Sequence, residues 1–231
     1  MCLNSNLRTV VIKYIKKGLN LPTKRCIFFF MVLIVAGCAT KPTLPTTTPA
    51  KPPPENAAFH QQHLAKLASI QAFSLKGRLG VVTQKQGFSG SIEWQHQAAT
   101  DNIDVYSPLG SKLANIAKTP GQVILTDQKG QTIKANDAET LTETTLGFRL
   151  PLNGLSDWAL GRPSTSKIEA SSWDVQGRLV TLKQDGWDIG FENYVESNGT
   201  FLPNKIVLKS EKVNLKLLVE KWGSIQSLSL N

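Results

Sequence analysis

From Phe73 onward the apolar residues recur mostly at every second position, the period of a half-buried β-strand. Phe73, Leu75, Leu79 and Val81 share one face of a first strand, with Gly77 among them where a bend or a close backbone approach is allowed. Phe88, Gly90, Ile92 and Trp94 repeat the alternation after a short polar connection, so the two segments read as a hairpin. Ile103 and Val105 mark a third strand, Leu113 to Lys118 a fourth, Val123 and Leu125 a fifth, and Thr132 to Ala135 a sixth beyond the Asp127–Gly130 turn. Further strands are predicted near Gly177–Gln184, Trp187–Phe191, Lys205–Lys209 and Val213–Val219. In the last of these Val213, Leu215, Leu217 and Val219 oppose Asn214, Lys216 and Glu220.

Three segments break this period. Ala57–Ser69 places Phe59, His63 and Leu67 on one side, with Leu64, Ala68 and Ile70 nearby, which predicts a helix. Asp137–Thr145 and Leu152–Leu160 suit two more, the second stopped by Gly161 ahead of Pro163. About ten or eleven antiparallel strands interrupted mid-chain by helices predict a mainly β domain: an incomplete, unclosed antiparallel barrel whose concave side the helices cover. Such a space could form an apolar cavity, or the same face could pack solidly; the alternation alone fits both.

The chain before Ala57 has another character. Arg8, Lys13, Lys16, Lys17, Lys24 and Arg25 precede an apolar run of eleven residues, Cys26–Ala36, with no acidic residue, the layout of a secretory signal peptide. At about 1.5 Å per residue this run reaches roughly 16 Å as helix, about half the hydrocarbon core of a bilayer. It ends in Val35-Ala36-Gly37-Cys38, which resembles a bacterial lipobox and predicts removal of residues 1–37 and lipid on Cys38. The long basic region leaves room for a start codon downstream of Met1. Residues 38–56 hold six prolines and little apolar surface, an extended tether. The folded domain is expected over 57–231, and Ala39 after the lipidated cysteine points to the outer membrane.

Loss of residues 1–37 leaves 20 basic against 17 acidic residues, so most of the whole-chain charge of +9 belongs to the targeting segment. The remaining +3 is spread among the strands and argues against a nucleic-acid partner. With Cys2 and Cys26 removed and Cys38 lipidated, the domain has no thiol, and its stability rests on a core. No enzyme constellation is recognisable. His60 and His63 lie one helical turn apart without a third ligand, and read as surface or helix-packing residues. His96, between Gln95 and Gln97, reads as a solvated turn residue. No serine lies in a nucleophile elbow, no glycine run fits a phosphate or dinucleotide, and no pair of carboxylates can be nominated; no catalytic, metal or cofactor residue is assigned. Trp94, Trp187 and Trp222 fit inward strand faces. One loop stands out: in Tyr106-Ser107-Pro108-Leu109-Gly110-Ser111, Pro108 suits turn position i+1 and Gly110 position i+3, which leaves Leu109 at a tip usually given to polar residues.

Taken in order, the lipobox, Phe73–Arg78, Gly90–Trp94, Ser107–Ser111, Asp127–Gln131, Ala135–Glu139, Leu150–Leu155 and Trp158–Gly161 resemble the LolB family of outer-membrane lipoproteins across essentially the whole mature chain. The resemblance implies a LolA/LolB-like open barrel with a helical lid and an apolar interior for acyl chains. It implies a monomer with three partners: a periplasmic LolA-like carrier, acylated lipoprotein cargo and outer-membrane lipids. Function would be chaperone-like transport, receiving lipoproteins and inserting them in the inner leaflet, and Pro108, Leu109 and Gly110 would form the membrane-insertion loop. The competing expectation is a lipid-anchored β-sheet interaction module with a solid core.

Overall fold

The computed structural model describes residues 54–84, 87–146 and 152–227. Cys38, the signal segment and nearly all of the tether lie outside them. Helix α1 spans Pro54–Ala68, where proline at the first helical position costs no hydrogen bond. Six strands follow: β1 (Ile70–Thr83), β2 (Gly87–Gln97), β3 (Thr100–Tyr106), β4 (Lys112–Thr119), β5 (Gln122–Asp127) and β6 (Thr132–Ala135). Two helices come next, α2 (Ala138–Leu146) and α3 (Leu152–Ala159). The chain closes with β7 (Ile168–Trp173), β8 (Leu179–Gln184), β9 (Trp187–Ser197), β10 (Thr200–Lys209) and β11 (Val213–Ser227).

All eleven strands form one antiparallel sheet in the order β6-β5-β4-β3-β2-β1-β11-β10-β9-β8-β7. Every neighbour is a sequence neighbour except β1 and β11, which join the two halves along a register running from Ile70↔Ser227 to Thr83↔Val213. β6 and β7 are unpaired edges, so the sheet curls without closing.

The predicted alternation is the burial pattern. Phe73, Leu75, Ile92, Trp94, Ile103 and Val123 point inward on one half; Leu182, Ile189, Phe191, Ile206, Leu208, Leu215 and Leu217 do so on the other. The inner face of the β7–β11 half lies under α1 and α3. Trp158 of α3 is fully buried and its Nε1 donates to Gln184 Oε1 at 2.9 Å. Gln184, also fully buried, is satisfied on its other side by donating to the carbonyls of Ser164 and Ser166 at 3.2 and 2.8 Å. Arg162, just past α3, pairs with Asp157 at 2.7 Å and donates to the Leu67 and Ile70 carbonyls, which ties α3 to the α1–β1 junction.

α1 departs in part from its predicted stripe. His63 and Leu67 are buried, but Phe59 and Ala68 are exposed. The cause lies in the β7–β8 turn: Gly177, at φ +78°, comes so close to the Phe59 and His60 backbone that any Cβ would collide with it. That contact sets the helix down on its His60 side, where the imidazole stacks on Trp173 with ring centroids 4.1 Å apart, and leaves Phe59 outside.

Candidate functional site

Strand direction sorts the loops into two ends. The β1–β2, β3–β4, β5–β6, β8–β9 and β10–β11 connections share one end; the β2–β3, β4–β5, β7–β8 and β9–β10 turns share the other. Leu109 stands at the first end and is 94 % exposed. Its loop is closed on itself: Gly110 N donates to the Ser107 carbonyl at 2.9 Å, and Ser107 N to the Ser111 carbonyl at 2.8 Å. Ser111 N also donates to Ser107 Oγ at 3.1 Å. Gly110 supplies the φ of +83° that the turn needs, with open space where a Cβ would be. Below it the β3–β4 register slips between Val105 and Tyr106, so that Leu113 is an extra residue and the bulge re-aims the loop. Pro108, Leu109 and Gly110 are thus brought together as a firm protrusion whose one large side chain contacts nothing that explains it.

Burial of the inner face grades toward that same end. On β1, Phe73 and Leu75 are buried while Leu79 and Val81 are half-buried; on β2, Trp94 and Ile92 are buried while Phe88 is half-buried. Ile103 gives way to Val105 on β3, and Val123 to Leu125 on β5. Ile116 on β4 and Ile133 on β6 complete a partly covered apolar floor. The β7–β11 half shows no such gradient, since Val213 and Trp187 are buried right up to that end. α2 accounts for the asymmetry. It leaves β6 at the far end and packs on β5 and β6 through Ala138 and Leu141, so it shelters the deep part of the floor. The inner face of this half is therefore less covered toward the Leu109 end of β1 and β2 and toward the β6 edge.

Beneath α2 the floor carries a polar cluster that the sequence reading did not single out. Asp101, 3 % exposed, accepts from Trp94 Nε1 at 2.9 Å and from Lys118 Nζ at 2.9 Å, and lies 2.7 Å from His96 Nδ1. Burial pushes its carboxyl up, but the hydrogen bonds from His96, Lys118 and Trp94 outweigh burial and hold it below the usual carboxylate range. His96 is a correction: it belongs to β2, points inward, and stacks on Phe73 at 5.0 Å, because β2 continues to Gln97 to pair with Thr100. The signal was available in His96 and Asp101, each at the inward parity of its strand. His60 and His63 are helix-packing residues as read; burial together with the nearby His60 and Arg178 lowers the His63 pKa. Among the described residues no group of three His, Cys, Asp or Glu side chains could hold a metal.

A family model described as outer membrane lipoprotein LolB matches residues 71–222. The outer-membrane lipoprotein LolB of Thiobacillus denitrificans is 33 % identical over 191 residues, which cover 82 % of this chain and 92 % of that protein. The LolB of Nitrosomonas europaea is 34 % identical over 163 residues, covering 70 % of this chain and 76 % of that one. Among solved structures, a LolA-superfamily protein of Nitrosomonas europaea superposes with a TM-score of 0.46 and 10 % identity over 74 % of this chain and 94 % of that one.

Proposed function

The chain belongs to the LolB family of outer-membrane lipoproteins, and from that premise we propose that it takes the acyl chains of lipoprotein cargo from a periplasmic carrier onto its inner apolar floor and delivers them to the membrane through Leu109. As a family member it is an outer-membrane transport protein with a general role in lipoprotein transfer, and not an enzyme. The observation that carries the finer reading is that the inner face of β1, β2 and β3 passes from buried to half-buried toward the end where Leu109 protrudes, through Leu79, Val81, Phe88 and Val105, and that Ile116, Leu125 and Ile133 extend this half-buried floor toward the β6 edge.

The physical argument is about water. Each CH₂ of an acyl chain is worth about 0.8 kcal/mol out of water, so several chains moved through solvent would cost tens of kcal/mol. Transfer then requires one apolar surface to meet another, with no covalent step. Direction follows if the receiver holds cargo more tightly than the carrier and the bilayer more tightly still. Lipid on Cys38 would keep the domain at its destination, and the proline-rich 39–56 stretch would let it turn between carrier and membrane.

The test is a paired assay on one preparation of Leu109→Glu, scoring uptake of cargo from a loaded carrier and then release into liposomes. The expected result is normal uptake and an unchanged melting temperature, because Leu109 packs against nothing, with release lost because a carboxylate is strongly penalised in hydrocarbon. Normal release would remove the insertion role. Loss of both steps with a lowered melting temperature would make Leu109 a structural residue.

A further inference from the structure

Behind the Leu109 loop, on the outer face of the sheet, lies a shallow cleft of about 230 Å³ lined by Lys76, Ser91, Glu93, Tyr106, Gly110 and Glu220. Lys76, Glu93 and Glu220 bring both signs of charge to its lining, and Arg78 stands beside it through its pair with Glu220. Lys76 Nζ lies 2.6 Å from Glu93 Oε1, and Arg78 Nε lies 2.7 Å from Glu220 Oε1. All four side chains are well exposed, so each pair already shares its charge with solvent and can exchange partners at little cost. Gly110 belongs to the insertion loop itself, which makes the cleft continuous with the protrusion.

Depth along the strand decides what such a cleft would meet. Tyr106 ends β3 just before the tight turn that carries Leu109, less than about 10 Å below the tip, because a turn rises less than the roughly 3.3 Å per residue of a strand. Ser91 and Arg78 are level with Tyr106 across the ladder, while Glu93 and Lys76 sit two positions further from the tip. An apolar tip seated about 5 Å past the headgroup–acyl boundary puts Tyr106, Ser91 and Arg78 within the polar band of a bilayer, which is about 5–8 Å thick on each side. The phenol suits that band, where tyrosine rings collect.

Resting on the reading of Leu109 as the membrane-entering residue, we infer that this cleft binds the headgroup of a zwitterionic aminophospholipid, its phosphate against Arg78 and Lys76 and its primary ammonium against Glu220 and Glu93. Charge complementarity selects this class: an anionic headgroup would meet two carboxylates with nothing to satisfy them, and a quaternary ammonium has no N–H to donate. The site would hold the protein at the lipid surface while cargo moves past Leu109, and would favour bilayers rich in such lipids.

The experiment uses the full lipidated chain, loaded with cargo and offered vesicles of phosphatidylethanolamine or of phosphatidylcholine, each with the same fraction of phosphatidylglycerol. The wild type is expected to deliver cargo about threefold faster into phosphatidylethanolamine, the scale that a few exposed charge contacts supply. Two paired variants, Lys76→Gln with Glu93→Gln and Arg78→Gln with Glu220→Gln, leave no lone charge and are expected to lose that preference. Equal wild-type rates, or a preference retained in both variants, would overturn the site. Leu109→Glu in the same vesicles separates the two readings: delivery that stops in both vesicle types supports the insertion role whatever the headgroup result. A second readout needs no variant. Phosphatidylethanolamine with its ammonium free and a photoreactive group at the glycerol end of one acyl chain should label β3 or the Leu109 loop on the side of the cleft, and labelling confined to segments away from the cleft would overturn the assignment.

Discussion

Leu109 and Asp101 are opposite cases of a residue out of place, an apolar side chain in water and a carboxylate in the core. The first was legible in the sequence, because a leucine between Pro108 and Gly110 stands out against ordinary turn chemistry. If it enters hydrocarbon it contributes at most about 1.5–3 kcal/mol, enough to direct contact and too little to anchor the protein without lipid. Asp101 has the inward parity of β3 in the sequence, but its partners could be named only by knowing that β2 and β4 bring His96, Trp94 and Lys118 to it. Asp101→Asn leaves the Lys118 ammonium, itself nearly buried, without its counter-charge, and should cost roughly 3 kcal/mol at neutral pH. The folded carboxyl is held below its unfolded value, so its contribution is complete above about pH 4 and is lost as pH falls through the lowered folded value. Melting curves of both proteins should therefore differ at pH 7 and converge in acid; a gap that stays constant down to pH 3 would deny the carboxylate this role.

Among the elements, strands that alternate strictly were legible and those held by their neighbours were not. β7, with the sequence Ile168–Trp173, offers two large apolar residues at odd spacing and pairs with β8 through two register shifts, which erases its period. β11 runs on to Ser227 past the readable Val213–Val219 stretch because its polar tail is laddered against Ile70–Leu75 of β1. α2 was readable as a helix on the concave side, but not as the cover of the deep part of the β5–β6 floor. It has nine residues, and Thr142, Thr144 and Thr145 bond back to carbonyls four positions earlier, a composition that makes a marginal helix alone. Its hold on the floor comes from buried Leu141 and Ala138. Leu141→Ala should cost about 2–3 kcal/mol, mostly as local loosening. Amide hydrogen exchange in α2 should speed up while β10 and β11 keep their protection, and a fluorescent fatty-acid probe should bind more readily. Uniform loss of protection across the sheet would mean that α2 is part of the global core and not a separable cover.

At the scale of the whole molecule, the two halves of one sheet do different work. The β7–β11 half is a finished core, with Trp158, Gln184 and Arg162 locking α3 and α1 down on it. The β1–β6 half is buried at its deep end and offers half-covered apolar surface toward the end marked by Leu109 and toward the β6 edge. The alternation of the strands announced a curled sheet with helices on its concave side. It could not announce this gradient, because Leu79 and Phe73 look alike in sequence and differ only in what lies above them. The central claim is that cargo acyl chains rest on that half-covered floor. Its most direct test is to pass a lipoprotein with a photoreactive acyl chain from a loaded carrier to this protein, irradiate, and map the adducts by mass spectrometry. Adducts on Leu79, Val81, Phe88, Ile116, Leu125 or Ile133 are the predicted result; uptake of cargo with adducts confined to the outer face or to the β7–β11 half would contradict it.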